Sequence, residues 1–199
     1  MKKLTLLILA LAVSMTAVAQ TPVPNKPSAA ARPVPAAPQL AANSYIRSDF
    51  NSGRILVAHN ADMRVEPASI TKLMTAYVVF SELNDGNITL QETVPVSEKA
   101  WRTGGSRMFI EPDMQVSVED LMRGMVIQSG NDASVALAEH IAGSEEAFAG
   151  LMNHYAELLG MTGTNFTNST GLPDPDHYTT ARDINLLSAA TVRDFPDFY

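Results

Sequence analysis

Apolar positions recur along most of this chain at helical spacing. Phe148, Leu151, Met152, Tyr155, Leu158 and Leu159 follow an i, i+3, i+4, i+7 pattern that predicts a core-facing helix, opened by Ser144 and stopped by Gly160. Leu73, Met74, Tyr77, Val78 and Val79 are so densely apolar that their helix should be buried on most sides. Ser117 with Asp120 makes a capping-box-like start for a helix to about Ile127, and a further helix runs from about Ala133 to Ala142. Thr180 with Asp183 opens a last helix carrying Ile184, Leu187 and Ala190, with Arg182 read as a structural ion-pair partner. One segment reads differently: Tyr45-Ile46 and Ile55-Leu56-Val57 flank Asn51-Ser52-Gly53, a β-hairpin with Gly53 where a positive φ is needed. A lone hairpin is marginal, so its strands are expected to belong to a larger sheet.

The first 43 residues break this pattern. Lys2 and Lys3 precede an apolar run from Leu4 to about Ala12, and Ala17-Val18-Ala19 offers a small-residue cleavage site, so residues 1–19 read as a secretory signal peptide. The run is short for a membrane span, which needs ~20 residues. Residues 20–43 hold Pro22, Pro24, Pro27, Pro33, Pro35 and Pro38 among alanines and read as an extended linker. Residues 44–199 are the folded domain, and 46% apolar content over the chain is enough for a packed core.

Charge and chemistry narrow the function classes. All 21 acidic residues lie beyond residue 43, so the folded part is more acidic than the net charge of −7 indicates, which argues against a nucleic-acid partner. Cysteine is absent, which leaves neither a disulfide framework nor a thiol nucleophile. His59, His140, His154 and His177 lack ligand spacing and are expected at the surface or between helices, so no metal or other cofactor is expected. The many methionines of the helical part are read as gap fillers of the core.

The candidate chemistry lies in Ser69-Ile70-Thr71-Lys72, the only S-x-x-K in the chain. If Pro67 and Ala68 lead into a helix, the spacing sets the Ser69 hydroxyl and the Lys72 amine on one face, one turn apart. A desolvated lysine is neutral near pH 7 and serves as the base that a serine nucleophile needs. Alone, S-x-x-K equally describes an ordinary helix start with an exposed lysine. Ser129-Gly130-Asn131, the only S-x-N, sits between two predicted helices, where a loop would aim both side chains into a shared cleft. Ser129 and Asn131 fit helix caps as well, and Asn131 is able to do both.

Four blocks in order carry a resemblance: Pro67-Ala68-Ser69-Ile70-Thr71-Lys72-Leu73-Met74-Thr75, Gly104-Gly105-Ser106-Arg107-Met108-Phe109, Ser129-Gly130-Asn131-Asp132-Ala133 and His177-Tyr178-Thr179-Thr180-Ala181-Arg182-Asp183. Together they resemble the serine D-alanyl-D-alanine carboxypeptidases, the low-molecular-mass penicillin-binding proteins of peptidase S11 type, over essentially everything from residue 44 onward. The resemblance implies an α/β (α+β) domain of the serine β-lactamase/DD-peptidase-like fold, a helix-rich body with an incomplete antiparallel sheet. It also implies that Ser69 attacks the carbonyl between two terminal D-alanines of a peptidoglycan stem peptide and Lys72 accepts its proton. Ser129 would relay a proton to the departing D-alanine, and Asn131 would bind the substrate backbone. β-Lactams would acylate the same serine, and the setting would be the periplasm or cell envelope.

The family's third element, K-T-G on a strand beside the nucleophile, has no counterpart, since the last lysine is Lys99. Arg102-Thr103-Gly104 has similar letters but precedes Ser129 and reads as a decoy. The chain is therefore expected to be a C-terminally truncated carboxypeptidase, inert or unfolded by itself, with any membrane attachment in segments outside it. Alternatives are a non-catalytic penicillin-binding sensor, a structural envelope protein, or a class A β-lactamase, which should carry S-D-N and E-x-x-L-N elements that do not occur here.

Overall fold

A computed structural model describes residues 40–199; the expected leader and most of the Pro/Ala-rich linker lie outside the described residues. The domain opens with the antiparallel hairpin β1 (Tyr45–Ser48) and β2 (Ile55–His59), with Tyr45 opposite His59. Gly53 takes a φ of 67° in the connecting turn, where a side chain would be strained. Among the described residues the hairpin is a two-stranded sheet and not part of a larger one. It is anchored instead to the last helix, through Ser48 Oγ donating to Asn185 Oδ1 at 2.8 Å.

Next come α1 (Lys72–Asn84), β3 (Thr93–Pro95), the short α2 (Glu98–Arg102), β4 (Gln115–Ser117), α3 (Val118–Gln128), α4 (Asn131–Ala142), α5 (Glu145–Leu158) and α6 (Ala181–Asp194). β3 and β4 pair antiparallel, with Val94 opposite Val116. Neither these strands nor α2 is legible in the sequence, because elements of three to five residues are too short to show a period. The longer helices begin where their caps place them. The hydroxyls of Ser117, Ser144 and Thr180 accept from the N–H three residues on, at Asp120, Ala147 and Asp183, and so satisfy a helix-end donor.

α1 runs through the middle of the domain. Ala76 and Val79 face a cluster that includes Val118, Leu121, Met125, Val135 and Leu137. Met74, Tyr77 and Val78 face a second cluster with Phe148, Met152, Phe166 and Leu187. The helix is thus apolar on most sides because it is covered on most sides. The expectation for Leu158 is corrected: it is 66% exposed, since it falls off the row made by Phe148, Met152, Tyr155 and Leu159. Phe195 and Phe198 close the second cluster, Phe195 edge-on to Tyr77 at 4.9 Å and Phe198 stacked on Phe80 at 5.1 Å. Among the described residues no helix is long and apolar enough to cross a membrane.

Candidate active site

Ser69 lies in a 3₁₀ turn, Ala68–Thr71, that leads directly into α1. The entry is less smooth than the sequence suggests, because Ala68 takes a φ of 46°, a left-handed conformation rare for alanine. This kink leaves Ser69 exposed while Lys72, one turn on, is buried to 7% exposure. A neighbouring segment holds the kink in place. Gly171, at φ 83°, passes so close that a Cβ there would stand 1.8 Å from the Ala68 carbonyl oxygen.

Lys72 Nζ makes three hydrogen bonds: to Ser69 Oγ at 3.2 Å, to Asn131 Oδ1 at 2.7 Å and to the Thr170 carbonyl at 2.8 Å. Burial pushes its pKa down to about 8. Thr170 is a functional contact with no sequence signal, since its contribution is a main-chain oxygen. Its segment is pinned by Asn168 Oδ1, which accepts from the N–H groups of Thr170 and Gly171, and by Glu145, which accepts from Ser169 N–H and Oγ. Glu145 in turn pairs with Lys99 at 3.0 Å.

Ser129 and Asn131 join this group by different routes. Ser129 is the C-cap of α3 at φ 56°, a non-glycine residue in the left-handed region. Its hydroxyl is buried and has no hydrogen-bond partner among the described residues. Asn131 is not a loop residue or an N-cap but the first residue of α4, capped by Gly130. Its side chain bridges Lys72 and the Gly104 carbonyl, which accepts from Asn131 Nδ2 at 2.7 Å. Thus Arg102-Thr103-Gly104 is no K-T-G strand, yet Gly104 does touch the site. Ser69, Lys72 and Ser129 line one cleft of about 240 Å³, with Ile70, Leu73 and Val126 as apolar walls.

The four sequence blocks meet in pairs. The Ser106 carbonyl accepts from Asn131 N–H, and Asp132 accepts from the N–H groups of Met108, Phe109 and Ile110, so the second block folds onto the third. Val65 and Thr179 exchange backbone hydrogen bonds at 2.9 and 3.0 Å, which brings the fourth block under the first. His177 departs from the surface or interhelix position expected of it. It is 3% exposed, and its Nε2 lies 2.7 Å from Thr71 Oγ1, inside the Ala68–Thr71 turn. Asp183 accepts from Gly163 N–H, and Arg182 pairs with Asp62, both structural roles away from the cleft.

Known proteins are similar to this chain in sequence and fold. The chain matches the peptidase S11 family, D-alanyl-D-alanine carboxypeptidase, over residues 31–199. It is 47% identical over 169 residues to D-alanyl-D-alanine carboxypeptidase DacC of Escherichia coli (strain K12), covering 82% of this chain and 42% of that protein. Among solved structures it is similar to the D-alanyl-D-alanine carboxypeptidase DacD from Francisella tularensis, with a TM-score of 0.82 and 44% identity, covering 83% of this chain and 40% of the other. Penicillin binding protein 5 from Haemophilus influenzae gives a TM-score of 0.80 and 46% identity, covering 82% and 48%. The chain spans less than half the length of each of these relatives. Its fold is that of the serine DD-peptidases, and the chain belongs to the peptidase S11 family of D-alanyl-D-alanine carboxypeptidases.

Proposed function

We propose that this protein is a serine DD-carboxypeptidase that removes the terminal D-alanine of peptidoglycan stem peptides through an acyl-enzyme on Ser69. The observation that carries the reading is the setting of Lys72 Nζ. Two of its three partners, Asn131 Oδ1 and the Thr170 carbonyl, can only accept. A neutral amine has two N–H bonds and one lone pair. With both N–H bonds committed, the lone pair faces Ser69 Oγ at 3.2 Å and takes its proton. With its pKa lowered to about 8, roughly a tenth of the lysine is neutral at pH 7.

In acylation the Ser69 Oγ–carbon bond forms as Lys72 receives the hydroxyl proton. The C–N bond then breaks, and the departing amine takes a proton relayed from Lys72. Ser129 is the group for that relay, because the residue borders the same cleft and its buried hydroxyl is otherwise unengaged. Asn131 keeps one amide N–H and one lone pair for the substrate backbone after serving Lys72 and Gly104. Water then releases the shortened peptide. β-Lactams would acylate the same serine and leave slowly. The reaction needs no cofactor.

The proposed setting is the periplasm or cell envelope, supported by the signal-peptide pattern of Lys2, Lys3, the apolar run from Leu4 and Ala17-Val18-Ala19. Mass measurement of the exported N-terminus tests that part, and cleavage after Ala19 is expected. The catalytic reading is tested by intact-mass labelling with benzylpenicillin beside a Ser69→Ala variant. A single adduct that disappears in the variant supports it; a folded chain that takes no label overturns it.

A further inference from the structure

His177 is the buried titratable group that the mechanism above does not use. The N–H of Thr167 lies 3.0 Å from His177 Nδ1. A backbone N–H can only donate, so Nδ1 is the acceptor, and the neutral ring carries its proton on Nε2, directed at Thr71 Oγ1. Burial favours this neutral form by lowering the pKa of the ring, against a smaller opposing pull from Asp174.

Both partners of the ring belong to the environment of Lys72. Thr71 is the fully buried residue next to Lys72 in the nucleophile turn. It stands at the N-cap of α1, yet its hydroxyl meets the imidazole instead of capping the helix. Thr167 is three residues before Thr170, whose carbonyl receives Lys72 Nζ. The ring therefore spans from the turn that carries nucleophile and base to the segment that orients the base.

We propose that His177 is a positioning residue for the Ser69–Lys72 pair: it fixes the nucleophile turn against the 167–170 segment, so that the Lys72 lone pair stays aimed at Ser69. This rests on the carboxypeptidase reading for its consequence in catalysis, but the mechanical tie stands on geometry alone. The amide of glutamine reaches about as far as Nε2 and can donate to Thr71, but it gives up the Thr167 bond. The shorter amide of asparagine sits near Nδ1, keeps the Thr167 bond and cannot reach Thr71.

The test compares the unsubstituted chain with His177→Gln and His177→Asn. It reads benzylpenicillin acylation rate by intact mass, melting temperature, and amide hydrogen exchange at Ile70–Leu73 and Thr170–Gly171. Each variant loses one end of the tie and is expected to slow acylation roughly 10–100-fold, His177→Asn with faster exchange chiefly at Ile70–Leu73 and His177→Gln with faster exchange chiefly at Thr170–Gly171. Thr71→Val should slow acylation likewise and add little to His177→Asn, because the two act through one contact. Exchange that rises alike in both segments for both variants, with acylation losses that only follow their melting temperatures, would overturn the proposal. If the unsubstituted chain takes no β-lactam, the carboxypeptidase reading fails, and exchange alone decides: faster exchange at Ile70–Leu73 in Asn and at Thr170–Gly171 in Gln upholds the tie, and no such difference rejects it.

Discussion

Asn131 Oδ1 and Lys72 Nζ, 59 positions apart in the chain, meet at 2.7 Å and join the first turn of α4 to the first turn of α1. Both helix starts are firmly placed, because α1 and α4 are packed into the core along much of their length. The amide is held at its other end by the Gly104 carbonyl, so the acceptor presented to Lys72 is fixed in direction.

Lys72 sets the pH profile. Its pKa in the fold, about 8, lies below the ordinary 10.5 because burial disfavours the ammonium. Acylation of Ser69 by benzylpenicillin should rise about tenfold per pH unit below pH 7 and level off above about pH 8, measured by stopped mass labelling. The same shift affects stability. Below about pH 8 both folded and unfolded chains hold the proton and the burial penalty is in full effect; between about 8 and 10.5 the unfolded chain binds more protons, so this residue's contribution becomes more favourable as pH rises.

Ser129 should separate activity from stability. Its buried hydroxyl lacks a partner among the described residues, and such a group is destabilising. Ser129→Ala is expected to raise unfolding free energy by about 1 kcal/mol in urea titrations. The same variant should slow acylation, because the relay to the departing amine is lost. A variant both less stable and equally active would contradict the role proposed for this residue.

Asp132 holds the loop over the site. Its two oxygens accept from Met108, Phe109, Ile110 and Ala133 N–H groups at 2.8–3.2 Å, and the residue is fully buried. Asp132→Asn replaces one acceptor by an N–H donor facing those N–H groups. A loss of about 3 kcal/mol is expected by thermal or urea unfolding. Phe109, at φ 64°, should then lose its fixed position, visible as faster amide exchange at residues 108–110.

Two glycines should respond in opposite directions. Gly171→Ala puts a methyl group 1.8 Å from the Ala68 carbonyl and forces a positive φ on alanine, so it should displace the nucleophile turn, destabilise by about 3 kcal/mol and abolish labelling. Gly150 lies inside α5 with nothing within 4 Å of a built Cβ. Gly150→Ala should stabilise by about 0.5–1 kcal/mol without changing labelling, as calorimetry would show.

Much of this molecule was legible in advance, and the reason is locality. Ser117, Ser144 and Thr180 cap helices by reaching three residues along their own chain. Ser69 and Lys72 share a face for the same reason, since one turn of helix brings residues three apart together. The dense apolar run of α1 likewise announced its burial. Where the pattern was read too generously, at Leu158, a single position of rotation separates core from solvent.

The rest was decided by contacts between distant segments. No letter marks the Thr170 carbonyl as the partner of Lys72, because every residue but its side chain looks the same in the main chain; only the packing of the 167–171 segment against Ala68 selects it. His177 was read as a surface or interhelix residue because its chemistry depends on Thr71, 106 positions away. Asn131 was readable as a substrate contact or a cap; Gly130 takes the cap position, and Asn131, one residue inside α4, turns its amide toward Lys72. Spacing along the chain was enough to place the longer helices, the caps at Ser117, Ser144 and Thr180, and the serine-lysine pair. Tertiary structure alone decided which oxygens face the lysine and how deeply it is buried, and the burial is what lowers its proton affinity.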